Sequence, residues 1–269
     1  MFEINDQLGR TLVFKEKPKR IISVVPSQTE LLWYLGLEEE VVGITKFCIH
    51  PDSWYRTKTR VGGTKTLDFE KIAALSPDLI IANKEENTQS EIEALMELYP
   101  VWISDIYTVE DALDMMTTVG DLLGKKQQAV ELVNELSPKF EALKQASVGA
   151  ESYKVAYFIW QGPYMVAGSD TFIQHLLELS GFDNVFGKMQ RYFEVTMEDL
   201  RVATPDLILL SSEPYPFKEK HIKAFQTVCP NAQVLLVDGE LFSWYGSRLL
   251  GTVDYIQNLR KAVAQNRLL

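Results

Sequence analysis

Apolar residues recur at helical spacing through KKQQAVELVNELSPKFEALKQA, residues 125–146: Ala129, Val130, Leu132, Val133, Leu136, Phe140 and Leu143, with Lys, Gln and Glu between them. Gly124 precedes this run and Gly149 follows it, so the pattern predicts one long bounded helix. Pro138 lies inside it and predicts a kink or a split, because proline removes a backbone donor and clashes with the preceding turn. On both sides, short continuous apolar runs alternate with amphipathic ones. RIISVV, VVGIT, LIIA and VWIS precede the long helix; KVAYFIW, LILL and VLLV follow it. Strands apolar on both faces, alternating with helices, imply parallel sheets covered on both sides.

The two flanks repeat each other. IAALSPDLIIANKEE, from Ile72, matches LRVATPDLILLSSEP, from Leu200, at an offset of 128 that carries Pro77 onto Pro205, Asp78 onto Asp206 and Glu85 onto Glu213. VWISD is echoed by VLLVD, and RIISVV before QTELLWYLG by KVAYFIW before TFIQHLLELSG. Three elements repeated in one order predict an α/β chain of two similar parallel-sheet lobes, residues 1–124 and 149–269, joined by a linker helix at 125–148. The period marks a domain duplication, being far too long for a solenoid repeat.

Local signals fill in the lobes. Residues 2–14 read as a hairpin around QLGR. Ser27 and Glu30 form an S-x-x-E pattern predicted to cap the helix after the first core strand. A helix start there leaves free N–H groups at the carboxyl edge of the sheet, where open α/β folds bind ligands, which makes Ser27 and Thr29 candidate contacts. Residues 47–55 read as a loop, 60–66 as a turn, and 68–75 as a short helix. A helix at 90–99 is expected to turn Glu91 and Glu93 outward. Residues 108–123 read as a helix opened by T-x-x-D, and 250–269 as a closing helix. In the second lobe the segments WQGPYM, RYFE, SSEPYPF and FSWYGSR read as strongly aromatic strand-end loops.

Composition narrows the function. The 269 residues are 46% hydrophobic and 24% charged, with a net charge of −10. Such a balance suits a globular chain and argues against a nucleic-acid groove, which needs clustered Lys and Arg. No apolar run reaches the roughly 18–20 residues of a membrane span. Cys48 and Cys229 are too few and too far apart for a disulfide framework. The first twenty residues contain no apolar signal region, so the sequence as written is expected in the cytoplasm, with an upstream start left open.

No catalytic motif emerges: there is no G-x-S-x-G, phosphate loop, H-E-x-x-H or G-x-G-x-x-G after a strand. His175 falls mid-helix. His50 and His221 fall in or near strand-end loops and, with Glu85 or Glu213, would be the groups of any metal site, but no short ligand spacing supports one. The aromatic loops are the stronger signal. Trp160, Tyr164, Tyr192, Tyr215, Phe217, Trp244 and Tyr245 sit among Glu, Arg and Ser and not on a periodic stripe, which suits a broad, flat, partly apolar ligand or, equally, packing between lobes. Arg191 and Arg248 are placed to meet carboxylate or phosphate, or to form internal pairs with Glu194 or Glu213.

The motifs KRIISVVPSQTELLWYLG, RVGGTKTLDFEKIAALSPDLIIA, YMVAGSDTFIQHLLELSGFDNVF and RYFEVTMEDL, in that order, make the chain resemble the class III periplasmic binding proteins of ABC importers, the helical-backbone group that captures cobalamin and iron–siderophores. The resemblance implies two α/β lobes on one long helix, no covalently bound cofactor, and a monomeric protein whose partners are an importer permease and a small-molecule ligand held between the lobes. Carried over by position, it implies ligand contacts at residues 26–29, 47–54 (with His50 and Trp54), 84–87 (with Lys84 and Glu85), 163–165 (with Tyr164 and Met165) and 242–248. WQGPYMVAG resembles the ligand loop of the cobalamin branch. The family's acidic docking residues map nearest to Glu91 or Glu93 and to Glu194 or Glu198. Two other classes stand beside this one: a cytoplasmic carrier or sensor of the same ligand, and an enzyme using Glu85, Glu213 and His50 as acid–base groups.

Overall fold

The computed structural model describes residues 1–266. They form two compact units: Met1–Ile106 with Glu110–Glu135 and Tyr245–Arg248, and Tyr107–Val109 with Leu136–Trp244 and the chain from Leu249 onward. The segment Tyr245–Arg248 thus groups with the first unit although it lies late in the sequence.

The first unit opens with a hairpin, β1 (Phe2–Asn5) and β2 (Thr11–Phe14), followed by β3 (Ile21–Ser23), α1 (Pro26–Tyr34), β4 (Val41–Ile44), α2 (Asp52–Thr57), β5 (Thr59–Arg60), β6 (Gly62–Gly63), β7 (Thr66–Leu67), α3 (Phe69–Leu75), β8 (Leu79–Asn83), α4 (Gln89–Met96), β9 (Val101–Ser104) and α5 (Val109–Leu122). Its sheet has the order β5-β4-β3-β8-β9, every pairing parallel. Ile22, Val24, Ile80, Ala82 and Ile103 pack with Ile72, Ile92 and Leu95 in the core. The hairpin turn is closed by the Asp6 carboxylate, which accepts from the Leu8 and Arg10 amides and from the Arg10 guanidinium. Residues 60–66, read as a plain turn, instead contain parts of two short pairings. Arg60 continues the main sheet, and Gly62–Gly63 pairs with Thr66–Leu67. Gly62 is required there: its φ is +105°, and a Cβ would lie 2.4 Å from the Thr66 carbonyl.

Helix α6 (Lys126–Ser147) begins in the first unit and ends in the second, and it runs unbroken through Pro138. The predicted split does not occur. The helix has 22 residues, and burial of Ala129, Leu132, Leu136, Phe140 and Leu143 outweighs one lost hydrogen bond. Gly120 lets α6 approach α5, since a Cβ on it would lie 2.3 Å from that of Ala129.

The second unit contains β10 (Tyr153–Trp160), β11 (Met165–Ala167), α7 (Phe172–Leu179), β12 (Phe182–Asn184), β13 (Tyr192–Glu194), α8 (Met197–Ala203), β14 (Leu207–Ser211), α9 (Glu219–Val228), β15 (Gln233–Val237), α10 (Glu240–Ser243) and α11 (Leu249–Asn266). Its sheet runs β13-β11-β10-β14-β15, with β12 beside the start of β10. β10, β12, β14 and β15 are parallel, but β11 and β13 are antiparallel additions, so this sheet is mixed. Tyr192–Glu194 of RYFE is consequently a strand and not a loop, and WQGPYM is the connection of an antiparallel pair. The predicted closing helix ends at Asn266 here; its last three residues lie outside the described residues.

The repeat is visible in backbone detail. Ser76 ends α3 at φ 45°, and Thr204 ends α8 at φ 46°. Asp78 accepts from the Lys19 and Arg20 amides at 2.9 and 2.8 Å; Asp206 accepts from the Lys154 amide at 2.9 Å. Each aspartate, two residues after its left-handed cap, ties the start of one core strand to that of its neighbour.

The predicted Ser27–Glu30 capping box does not form. Helix α1 starts one residue earlier, with Pro26 at its first position and no side-chain cap. Proline suits that position because its missing N–H would have had no helical partner. Glu30 is committed elsewhere, to Arg248.

Candidate functional site

Each unit presents the carboxyl ends of its parallel strands as a rim. In the first unit these ends are polar: Ser23, Thr45, Asn83 and Ser104 are all buried. Asn83 organises the loop after β8, its Oδ1 accepting from the Glu85 and Glu86 amides and its Nδ2 donating to Ser104. Asn87 closes that loop by accepting from the Asn83 amide and donating to the Val24 and Thr64 carbonyls. The polar strand ends therefore hold the loops in shape.

Several predicted contacts in this unit prove to be internal. Thr29 is wholly buried, its hydroxyl within 2.8 Å of Ser23 Oγ, 2.9 Å of the Val25 carbonyl and 3.1 Å of Cys48 Sγ. Burial pushes the Cys48 thiol up from its ordinary value. Ser27 is buried in the first turn of α1. Trp54 is wholly buried within the loop that the family resemblance assigned to ligand, its indole donating to Glu38. Helix α2 begins inside that loop and turns the tryptophan inward. His50 is partly exposed and precedes a cis bond to Pro51. Lys84 is exposed and pairs with Asp105 at 2.6 Å, while the Glu85 carbonyl accepts from Lys65 Nζ. Phe47 and Ile49, 51% and 45% exposed, are the apolar side chains this rim offers. Sequence reading named their loop but chose its histidine and tryptophan.

Tyr245 and Arg248 also sit in the first unit. Arg248 makes a two-point pair with Glu30, Nε to Oε2 at 3.0 Å and Nη2 to Oε1 at 2.7 Å; neither Glu194 nor Glu213 is its partner. Gly246, at φ 145°, brings the backbone against α1, where a Cβ would lie 3.1 Å from the Ser27 carbonyl. Tyr245 is buried.

The second unit's rim is aromatic. Trp160, the last residue of β10, is 38% exposed and meets Tyr215 edge-on at 5.7 Å. Tyr215 continues the contact to Phe217 at 4.8 Å and His221 at 5.6 Å, with its hydroxyl 3.4 Å from His221 Nε2. Tyr164 turns inward instead, edge-on to Phe158 and Phe225 at the core. Met165, partly buried, starts β11. Arg191 donates to the Asp170 carbonyl at 2.9 Å and lies 5.6 Å over the ring of Tyr107.

Glu213 is partly buried just beyond β14. Its Oε1 accepts from Ser243 Oγ at 2.6 Å. Burial raises its pKa above the ordinary carboxylate value, and the nearby charges of Glu240 and Asp238 add to the rise. Trp244 is 7% exposed, so it is packed here and not presented as a stacking face.

Of the predicted docking carboxylates, Glu93, Glu194 and Glu198 are exposed and Glu91 is partly buried. Glu91 accepts from the Leu67 amide at 3.1 Å, Glu93 from Gln89 Nε2 at 2.7 Å, and Glu198 is paired with Arg201 at 2.8 Å. Among the described residues no group of three His, Cys, Asp or Glu could hold a metal ion, and no helix is long and apolar enough to cross a membrane.

The family model described as periplasmic binding protein matches residues 21–237. An uncharacterized ABC transporter substrate-binding lipoprotein, YvrC of Bacillus subtilis, is 26% identical over 77% of this chain and 68% of its own length. A vitamin B12-binding protein of Pectobacterium carotovorum is 24% identical over 87% of this chain and 85% of its own. Among solved structures, the periplasmic vitamin B12-binding protein BtuF of Vibrio cholerae matches with a TM-score of 0.80 at 21% identity, over 92% of this chain and 98% of that one. The periplasmic heme-binding protein RhuT of Roseiflexus sp. RS-1 matches at 0.76 and 17% identity, over 91% and 99%. The chain belongs to the periplasmic binding protein family, whose members are substrate-binding components of transport and not enzymes.

Proposed function

We propose that this protein captures a corrinoid, or a metal chelate of similar breadth and flatness, and delivers it to an ABC importer. The observation that carries this reading is the Trp160–Tyr215 pair. It puts a partly exposed indole at the end of a core strand, braced edge-on by a second ring. Packed aromatics of this kind offer a rigid apolar face and lose little side-chain entropy when a planar ligand covers them. The vitamin B12-binding relatives favour cobalamin over other chelates.

Capture is followed by docking on the permease, for which the exposed Glu93 and Glu194 are the candidate carboxylates. On this reading the protein acts as a monomer and outside the cytoplasmic membrane; the relative named as a substrate-binding lipoprotein supports the second point alone. Calorimetric titration with cyanocobalamin, with haemin and a ferric hydroxamate in parallel, tests the ligand. Micromolar or tighter binding of cobalamin alone supports the corrinoid; binding only an iron chelate keeps the transport role and replaces the ligand. Light scattering tests the monomer.

A further inference from the structure

One imidazole joins the start of α9 to the aromatic rim. His221 is the third residue of α9, the position where a capping box carries Glu or Gln. Its Nδ1 fills that role by accepting from the Lys218 amide at 2.8 Å. A backbone N–H can only donate, so Nδ1 is the unprotonated nitrogen, and in a neutral imidazole the proton then sits on Nε2. The Lys218 carbonyl, 3.1 Å from Nδ1, already accepts from the His221 amide at 2.9 Å. Nε2 lies 3.4 Å from the Tyr215 hydroxyl oxygen, which therefore accepts from it. The proton of Tyr215 cannot return to the imidazole. Among the described residues that hydroxyl has no second hydrogen-bonding neighbour. Tyr215 is itself held firmly: its amide donates to the Ile159 carbonyl at 3.2 Å, and its half-buried ring meets Trp160, Phe217 and His221.

We propose that Tyr215 is a specificity-determining residue of this rim, its hydroxyl donating to an acceptor oxygen at the edge of the flat ligand, and that His221 is the positioning residue that fixes the direction of its proton. The inference rests on the proposed ligand role of the Trp160–Tyr215 pair and adds the polar group that the ligand must carry. In a corrinoid that group is a side-chain amide carbonyl. A ligand that covers the hydroxyl with hydrocarbon alone leaves the donor unpaired and binds more weakly. The opposite imidazole tautomer would draw the Tyr215 proton inward and leave an oxygen able only to accept; the Lys218 amide excludes it. A phenol whose oxygen already accepts is also the better donor, because hydrogen bonds in a chain polarise one another.

The tautomer is tested first, without ligand. In protein labelled with 15N at histidine, the ring-nitrogen shifts are read at about pH 8, where imidazole in water is neutral. The His221 signals, assigned by their loss in His221→Glu, are expected to show Nε2 protonated and Nδ1 bare; the reverse pattern overturns the proposal. Calorimetry with cyanocobalamin then compares the wild type with Tyr215→Phe, which keeps the ring against Trp160 and removes only the hydroxyl. Affinity should fall about fivefold, roughly 1 kcal/mol, and equal affinities overturn the donor. His221→Glu retains the bond to the Lys218 amide, since glutamate serves at that helix position, but its carboxylate can only accept and turns the Tyr215 proton inward. It should weaken binding to the level of Tyr215→Phe and have no further effect in the Tyr215→Phe background; equal losses in both backgrounds overturn the positioning role. If cyanocobalamin binds neither wild type nor variant, the corrinoid reading falls, and haemin, whose propionates offer carboxylate acceptors, is titrated against the same pair. A fivefold loss in Tyr215→Phe there supports the donor, and equal affinities or no binding overturn it.

Discussion

Arg248 and Glu30, 218 residues apart in sequence, form a two-point ion pair with both side chains largely withdrawn from solvent. Each nitrogen of the guanidinium edge meets its own carboxylate oxygen, a geometry lysine cannot reproduce. The pair fastens Tyr245–Arg248 to α1, where Gly246 already brings the backbone against Ser27. Truncating one partner removes both of these charge-assisted bonds from the other. Arg248→Met is expected to cost about 2–3 kcal/mol, read as a lowered urea midpoint at unchanged slope, within the range for lost hydrogen bonds to charged groups. Arg248→Lys should recover less than half of this. Adding Glu30→Gln to Arg248→Met should restore part of the loss, and strictly additive effects of the two changes would show that no coupling exists.

The left-handed caps Ser76 and Thr204 make a second prediction. Neither is glycine, yet both stand near φ +45° and both are exposed. A side chain in that region costs about 1 kcal/mol or more, and the β-branched threonine pays the larger share. Thr204→Gly should raise the melting temperature by several degrees and Ser76→Gly by less, since glycine returns part of the gain as unfolded-chain entropy. A fall in melting temperature for both would mean that the hydroxyls, including the Ser76 bond to the Ala73 carbonyl, outweigh the backbone relief.

These caps also show how far the sequence could be read. Pro77, Asp78, Pro205 and Asp206 advertise the repeat because their work is local: each aspartate bonds the start of a neighbouring strand, and each proline follows a helix end. Continuous apolar runs gave the parallel strands for the same reason. What stayed hidden depends on distant partners. Nothing near Glu30 announces Arg248, so its spacing from Ser27 read as a capping box. Nothing near Trp54 announces Glu38 or the turn of α2 that buries it. RYFE carries strand residues, but its three-residue pairing to β11 is too short for a periodic signal. At the rim the residue types were legible while their exposure was not: of Trp160 and Trp244, only the first faces solvent appreciably.

Glu213 predicts a pH dependence of stability whose sign follows from its raised pKa. In the unfolded chain its value is ordinary, near 4.5, and in the fold it lies higher. Between those two values the folded state holds more protons than the unfolded one, so stability decreases as pH rises through the window and levels off above the folded value. The cause is that an ionised carboxylate is desolvated there beside Glu240 and Asp238. Glu213→Gln should remove this component. Melting temperatures of the two proteins, measured at matched pH, should diverge in favour of the variant as pH rises above about 4.5, the unfolded value. A constant difference across the range would assign the rise in pKa no energetic consequence.

Trp160 and Tyr164, four residues apart, should respond oppositely to truncation. Trp160 is partly exposed and touches Tyr215 by its edge, so Trp160→Ala removes little from the core and should lower stability by less than about 1 kcal/mol. Under the proposed function it removes the apolar face that a corrinoid ring covers, and affinity should fall at least about tenfold, the scale of one lost aromatic anchor. Tyr164 packs edge-on against Phe158 and Phe225, both wholly buried. Tyr164→Ala opens a cavity beside them and should cost about 3 kcal/mol, with ligand affinity of the still-folded fraction near the wild-type value. Thermal melts and calorimetry on the same preparations separate the two effects. If Trp160→Ala binds cyanocobalamin as well as the wild type, the aromatic rim is not where the ligand rests. Binding would then have to draw on Phe47 and Ile49, whose alanine variants would be the ones to weaken it.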